Sequence, residues 1–358
     1  MIRKERLLET LFDLIRIDSP SGEESNIIEE VKRRLESLGV QCEIDSYGNL
    51  LGHSGCDNPI LLSAHLDTVE PGRGIHPRVD GLYIVSQDTT ILGADCKAGV
   101  ASVIEGITSL IEDGKAGIDF EIAFTKEEEI GLVGARNLDY SKITSKEAIV
   151  FDGRGAVTQI TSASPTHMRF EVNVKGRAAH AGVEPEKGVS AIKIASELIN
   201  RLPQGRIDDT TTFNIGVLEG GSVTNAVPET ALIKGEFRSQ NHDTIEMLSS
   251  RVKDMVNETQ LEFPDSNIDL NFELDYETYS RTGFEPSVVR VINALKTLGL
   301  QHEMIHSGGG SDGNIFISRG IDSAVIGIGS YNAHTVREYV VIDELLNVAR
   351  VCEQLLRK

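Results

Sequence analysis

Three short, nearly unbroken apolar runs, Ile60–Ala64, Phe120–Thr125 and Ala148–Phe151, set the strongest limit on the fold of this chain. A strand exposed on one face alternates apolar and polar residues, whereas a strand covered on both faces does not, so these runs predict the buried strands of a mostly parallel sheet. Between the first two, Ala98–Ile111 carries apolar residues at helical spacing, as a crossover between parallel strands requires. Upstream, Leu7, Leu11, Leu14 and Ile15, then Ile27, Ile28, Val31, Leu35 and Leu38, predict two helices parted by the Ser-Pro-Ser-Gly turn at Ser19–Gly22. The expected class is α/β, with a mostly parallel central sheet flanked by helices.

The texture changes near Ser164. Met168–Val174 alternates as a strand, Gly188–Leu202 is helical, Thr211–Leu218 and Ala231–Phe237 read as strands, Thr244–Val256 as a helix and Ile268–Leu274 as a strand. That β-α-β-β-α-β order is a complete ferredoxin-like unit. After it, the helix Val288–Leu298, a Gly-rich loop, the strand Ser323–Ile328 and the helix Glu344–Leu356 resume the first style. The expected organisation is therefore one domain of residues 1–163 and 277–358, interrupted by an inserted α+β domain of residues 164–276.

Composition narrows the function classes. The 358 residues hold 35 Lys+Arg against 55 Asp+Glu, a formal charge of −20. So acidic a balance disfavours a nucleic acid partner or an anionic membrane surface, both of which are bound through Lys and Arg. No run approaches the ~20 apolar residues of a membrane span, and the charged N-terminus lacks a signal peptide's apolar core. Cys42, Cys56, Cys96 and Cys352 are scattered without a Cys-x-x-Cys, so a cytoplasmic protein with neither a disulfide framework nor a structural zinc site is expected.

The chemistry-bearing residues cluster at strand ends. His65 and Asp67 follow the first apolar run and, two apart on an extended chain, share a face, so a metal-bound imidazole with an orienting carboxylate is one reading and a simple turn the other. Asp95 precedes a helix, where it serves either as an N-cap or as a ligand at a sheet edge. Glu127, Glu128 and Glu129 follow the second run, Asp152 ends the third, and His334 follows the last expected strand. Carboxyl ends of parallel strands share one edge of the sheet. Two imidazoles and three carboxylates converging there form a mixed nitrogen and oxygen donor set suited to zinc, with cobalt or manganese as alternatives.

The motifs HLDTV, GADCKAG, EEIG, FDGRG, GRAAHAG and NAHTVRE closely resemble those of the dinuclear zinc exopeptidases of the aminoacylase and carboxypeptidase G superfamily, particularly its peptidase T-like branch. The resemblance spans essentially the whole chain. It implies two zinc ions per subunit, one held by His65 and Asp152, the other by Glu129 and His334, with Asp95 bridging. It further implies that Asp67 steadies His65 and that Glu128 is the general base, although a one-residue slip in the triple Glu would shift both glutamate roles to Glu127 and Glu128. Relatives often hold the peptide bond after the bridging carboxylate in cis and commonly place Asp or Asn next, where this chain has Cys96. In the inserted domain, His180 matches a histidine that polarises the scissile carbonyl across a dimer interface. Asn225 and Arg238 match substrate contacts, and the loop Ser307–Asn314, with Gly309 and Gly310, matches a wall of the substrate pocket.

The implied activity is hydrolysis of an amide bond, in the form of N-terminal residue removal from short peptides by a homodimer paired through the inserted domain. N-acyl amino acid deacylation and carboxypeptidase action use the same ligands. Two readings of other classes stand beside it. Gly309-Gly310-Ser311-Asp312-Gly313 satisfies the G-x-S-x-G pattern, and Asp322 and His334 follow in serine-hydrolase order. The other is a non-enzymatic peptide-binding member of the same fold.

Overall fold

The computed structural model describes residues 1–55, 58–114 and 120–357, so Cys56 lies outside the described residues. The chain divides into two compact units: Met1–Ala163 with Ser280–Ser307 and Ser311–Lys358, and Ser164–Tyr279 with Gly308–Gly310.

In the first unit the strands stand in the order Gln41–Ile44, Leu50–His53, Phe120–Thr125, Ile60–His65, Glu147–Gly153, Asp322–Gly327 and Gln159–Ser164. The middle four are mutually parallel. Ile60–His65 and Phe120–Thr125 are buried at every position, which is why their sequences do not alternate. The helices Lys4–Ile15 and Ser25–Ser37 each bury one stripe, Leu7, Leu11, Leu14 and Ile15 in the first and Ile27, Ile28, Val31 and Leu35 in the second. Each such side chain contributes about 1.5–3 kcal/mol by leaving water.

The crossover helix Ala94–Glu112 is non-helical at Asp95 and Cys96, so its regular part begins just beyond the chemistry-bearing residues. Gly99 lets this helix approach the sheet: a Cβ there would stand 2.2 Å from the Phe151 carbonyl oxygen. That approach brings Asp95 beside the end of the strand carrying Asp152.

A second, four-stranded sheet in this unit has no counterpart in the sequence expectation. It consists of Ser330–Tyr331, Tyr339–Val341, Tyr83–Ser86 and Pro77–Asp80, in that order. Strands of two to four residues are too short for a period to show. This sheet closes the loop that carries His334, through the pairs Ser330 with Val340 and Tyr331 with Tyr339.

The second unit is an antiparallel sheet in the order Gly205–Asp208, Thr211–Gly220, Thr230–Ser239, Thr166–Lys175 and Asn267–Tyr276, packed against the helices Ala191–Arg201 and His242–Glu262. The four long strands have ferredoxin-like order. The short hairpin strand Gly205–Asp208 is an addition, exposed throughout and therefore without an apolar signature. Phe170, Phe213 and Phe237 form the aromatic centre, with Phe213 and Phe237 stacked at 5.5 Å.

Candidate metal centre

The carboxyl ends of the four parallel strands face one edge, and the loops leaving them deliver the acidic and imidazole groups expected there, apart from Asp95, which the start of the helix Ala94–Glu112 delivers. His65 ends its strand fully buried. Its Nε2 lies 3.3 Å from Asp95 Oδ1, 3.4 Å from Asp152 Oδ1 and 4.0 Å from Glu128 Oε2. His334 sits at a left-handed φ of 64°. Its Nε2 lies 2.9 Å from Glu129 Oε2 and 3.5 Å from Asp95 Oδ2. The two oxygens of Asp95 therefore face different imidazoles. The peptide bond following Asp95 is cis.

Three sets of donor atoms lie within 4.8 Å of one another: His65, Asp95, Cys96 and Asp152; His65, Glu128 and Glu129; and Asp95, Glu129 and His334. Cys96 Sγ donates to the Phe151 carbonyl at 2.6 Å.

The loop of three glutamates is held by side chains that accept four consecutive backbone N–H groups. Asn49 Oδ1 accepts from Lys126 at 3.2 Å, Glu24 Oε1 from Glu127 at 3.0 Å, Asp67 Oδ1 from Glu128 at 2.9 Å and Asp67 Oδ2 from Glu129 at 3.1 Å. Glu127 turns away, its carboxylate accepting from the Tyr47 hydroxyl and pairing with Lys126 Nζ at 3.1 Å. The loop thus points Glu128 toward His65 and Glu129 toward His334. Asp67 also accepts from Ser21 Oγ at 2.7 Å, while its backbone carbonyl lies 3.0 Å from His65 Nδ1. That contact leaves Nε2 as the outward-facing ring nitrogen.

The electrostatics show a local excess of negative charge. Burial pushes Glu128 well above the usual carboxylate range and raises Glu129 and Asp152 as well. Asp95 moves the other way: burial opposes its ionisation, but His334 and His65 hold it well below that range. Hydrogen bonds to Asp95 and Glu129 push His334 up to about 10. Glu129 Oε1 is buried without a hydrogen-bond partner among the described residues. A buried carboxylate oxygen with no donor costs free energy, and a divalent cation satisfies it while offsetting the crowded negative charge. The donor set, two imidazoles and carboxylates with one between them, fits a pair of such ions.

Several contributors were assigned no role from the sequence, although Glu338 ends the motif NAHTVRE. Glu24, Asn49 and Glu338 act on backbone groups far along the chain. Asp312 is buried, with Oδ2 accepting from the Thr125 hydroxyl and Oδ1 unpartnered among the described residues; burial pushes it up to about 7.

The serine-hydrolase alternative does not survive the geometry. Ser311 forms a capping box with Asn314 at the start of its own helix, Asp312–Ser318. Asp322 begins the strand whose far end leads to His334, and its carboxylate accepts from the Ser287 N–H at 2.8 Å. A six-residue strand spans about 20 Å, so Asp322 and His334 leave from opposite edges of the sheet.

In the second unit, His180 and Asn225 come together on two paired loops. The Ala181 N–H donates to the Asn225 carbonyl at 3.0 Å and the Val227 N–H to the Ala179 carbonyl at 2.9 Å. Both side chains are exposed. Arg238 is gripped by Glu236 through two hydrogen bonds, 3.1 and 3.0 Å, and reaches the Gly308 carbonyl at 3.4 Å. Gly309 accepts from Ser164 Oγ at 2.9 Å, and Gly310 lies flat on the Tyr276 ring, where a Cβ would stand 2.3 Å away.

Residues 163–264 match the peptidase dimerisation domain of family M20, and residues 47–177 match peptidase family M28. The Bacillus subtilis (strain 168) protein YqjE, described as uncharacterized, is 36% identical over 362 residues, covering 98% of this chain and 97% of its own. A tripeptidase from Staphylococcus aureus subsp. aureus Mu50 superposes with a TM-score of 0.90 at 32% identity, covering 99% of this chain and 98% of that one. The aminopeptidase PepT from Bacillus cereus ATCC 10987 superposes with a TM-score of 0.83 at 36% identity, again covering 99% and 98%. Among the described residues no helix is long and apolar enough to cross a membrane.

Proposed function

Because the chain belongs to the M20 metallopeptidases, in the branch that holds peptidase T and tripeptidase, we propose that it removes the N-terminal residue from short peptides using two zinc ions. The observation that carries this reading is Asp95, whose two oxygens face His65 at 3.3 Å and His334 at 3.5 Å. His65 and Asp152 would hold one ion and Glu129 and His334 the other, with Asp95 shared. When bound, such a pair acts as a Lewis acid on the scissile carbonyl and lowers the pKa of water.

Glu128 is the proton carrier. It is buried, stands 4.0 Å from His65 and is outside the ligand set proposed above, so its carboxylate is free to take a proton from the attacking water and return it to the leaving amine. Asp67 fixes both the His65 ring and the Glu128 backbone. His180 of a second copy polarises the carbonyl as an oxyanion donor, a role compatible with its exposure on a paired loop. Arg238, whose Nε and Nη2 are held by Glu236, offers its remaining Nη1 and its charge to a substrate carboxylate, Asn225 a polar contact, and Gly309 and Gly310 backbone room for the peptide. Two copies pair through the inserted unit, and the working compartment is the cytoplasm.

A screen of tripeptides, dipeptides and N-acyl amino acids with zinc, cobalt or manganese, scored for the bond broken, tests the substrate class. Release of the N-terminal residue from tripeptides supports it. Cleavage of N-acyl amino acids alone, or release of the C-terminal residue, replaces the aminopeptidase reading with deacylase or carboxypeptidase action on the same centre.

A further inference from the structure

We propose that Glu338 is a positioning residue for the metal pair: it fixes the turn that aims Asp95 and so couples the His334–Glu129 position to the His65–Asp152 position. The inference rests on the two-metal reading above. Glu338 lies four residues after His334 and is 3% exposed. Its Oε2 accepts the Leu92 and Gly93 N–H groups, each at 2.8 Å, and its Oε1 accepts the Asp95 N–H at 3.0 Å.

These donors need an outside partner. Gly93 has a left-handed φ of 70° and Asp95 an extended ψ of 102°, so the turn forms no regular helical ladder. Buried N–H groups left unpaired are costly. One carboxylate satisfies three of them and leaves the turn a single arrangement, the one in which Oδ1 and Oδ2 of Asp95 face different imidazoles.

Glu338 belongs to the loop that presents His334. Its N–H donates to the Thr335 carbonyl at 3.0 Å, and the Thr335 hydroxyl donates to the Asn332 carbonyl at 2.8 Å. The small sheet closes this loop at Ser330–Val340 and Tyr331–Tyr339. One braced loop thus touches Asp95 twice, through the His334 ring at the carboxylate and through Glu338 at the backbone. His334 and Glu129, if they held one ion, would through this loop keep Asp95 in the orientation in which its other oxygen faces His65.

The residue type matters. Glutamine has one acceptor oxygen, and its NH₂ would face an N–H of the turn, so Glu338→Gln breaks one side of the grip. Glu338→Asp keeps the charge but is one methylene short.

Cobalt(II) titration of the metal-free full-length protein, followed by visible absorption and calorimetry, tests the inference. Wild type should load two ions per chain. Glu338→Gln should load the first and bind the second about 10–100-fold more weakly, with Glu338→Asp in between. Tripeptide turnover should fall with the second ion and recover in excess metal. If Glu338→Gln does not fold, Glu338→Asp carries the same comparison. Two ions bound by both variants as tightly as by wild type, whatever their Tm, would overturn the inference and leave the two-metal reading standing. A wild type that takes up fewer than two ions would overturn both.

Discussion

Asp67 accepts the backbone N–H of Glu128 at 2.9 Å through a carboxylate that is completely buried. This contact joins the end of one parallel strand to the loop leaving its neighbour, and together with the grips of Tyr47 and Glu24 it sets which glutamate of the run faces the centre. Asp67→Asn should preserve the fold but lose an acceptor, since Oδ2 also serves Glu129 and Ser21. A loss of about 10–100-fold in kcat/KM is expected, by analogy with other outer partners of metal ligands. Steady-state kinetics alongside metal analysis checks it.

Removal of the ions should abolish activity and lower the Tm. An ion present at ~1,000 times its Kd stabilises the folded state by about 4 kcal/mol. A chelator should therefore inactivate the protein, and zinc, cobalt or manganese should restore it. A serine-directed phosphonate should have no effect, because Ser311 is committed to capping its helix.

His167 provides a pH-dependent term in the second unit. Its Nε2 lies 2.6 Å from Glu236 and its Nδ1 3.0 Å from Asp275. Burial disfavours the charged ring, but Asp275 and Glu236 outweigh it, so the pKa is raised. A raised pKa means that the folded state holds the proton more tightly than the unfolded state. The stabilisation is therefore complete below the unfolded value, about 6.5, and is lost as pH climbs through the folded one. Wild type should lose more Tm than His167→Gln between about pH 6 and about pH 9. Parallel melting curves would contradict this.

The fold was legible where burial leaves a pattern. Ile60–His65 and Phe120–Thr125 read correctly because both faces are covered, and Phe170, Val172 and Val174 because one face is. The short strands around Tyr83 and Tyr339 left no period to find. At the centre, His65, Asp152 and His334 were visible as groups following strands of the parallel sheet, whereas Asp95 follows no strand of that sheet and is delivered by the start of the helix Ala94–Glu112. The register of Glu127, Glu128 and Glu129 rested on the motif EEIG alone, with a one-residue slip left open, since three identical residues carry no information about orientation. That information resides in Tyr47, Glu24 and Asp67, which grip the loop from elsewhere in the chain. Glu338 stood in the motif NAHTVRE, but its role was not readable, as its partners Leu92, Gly93 and Asp95 contribute only backbone N–H groups.

The most direct test of the account replaces each glutamate of the run by glutamine and measures tripeptide turnover together with bound metal. Glu128→Gln should lose at least about 10²-fold in kcat, the smaller end of what a positioned acid–base contributes, while retaining two ions. Glu129→Gln should lose metal as well as activity, and Glu127→Gln should keep both near wild type. Undiminished turnover by Glu128→Gln would contradict the account.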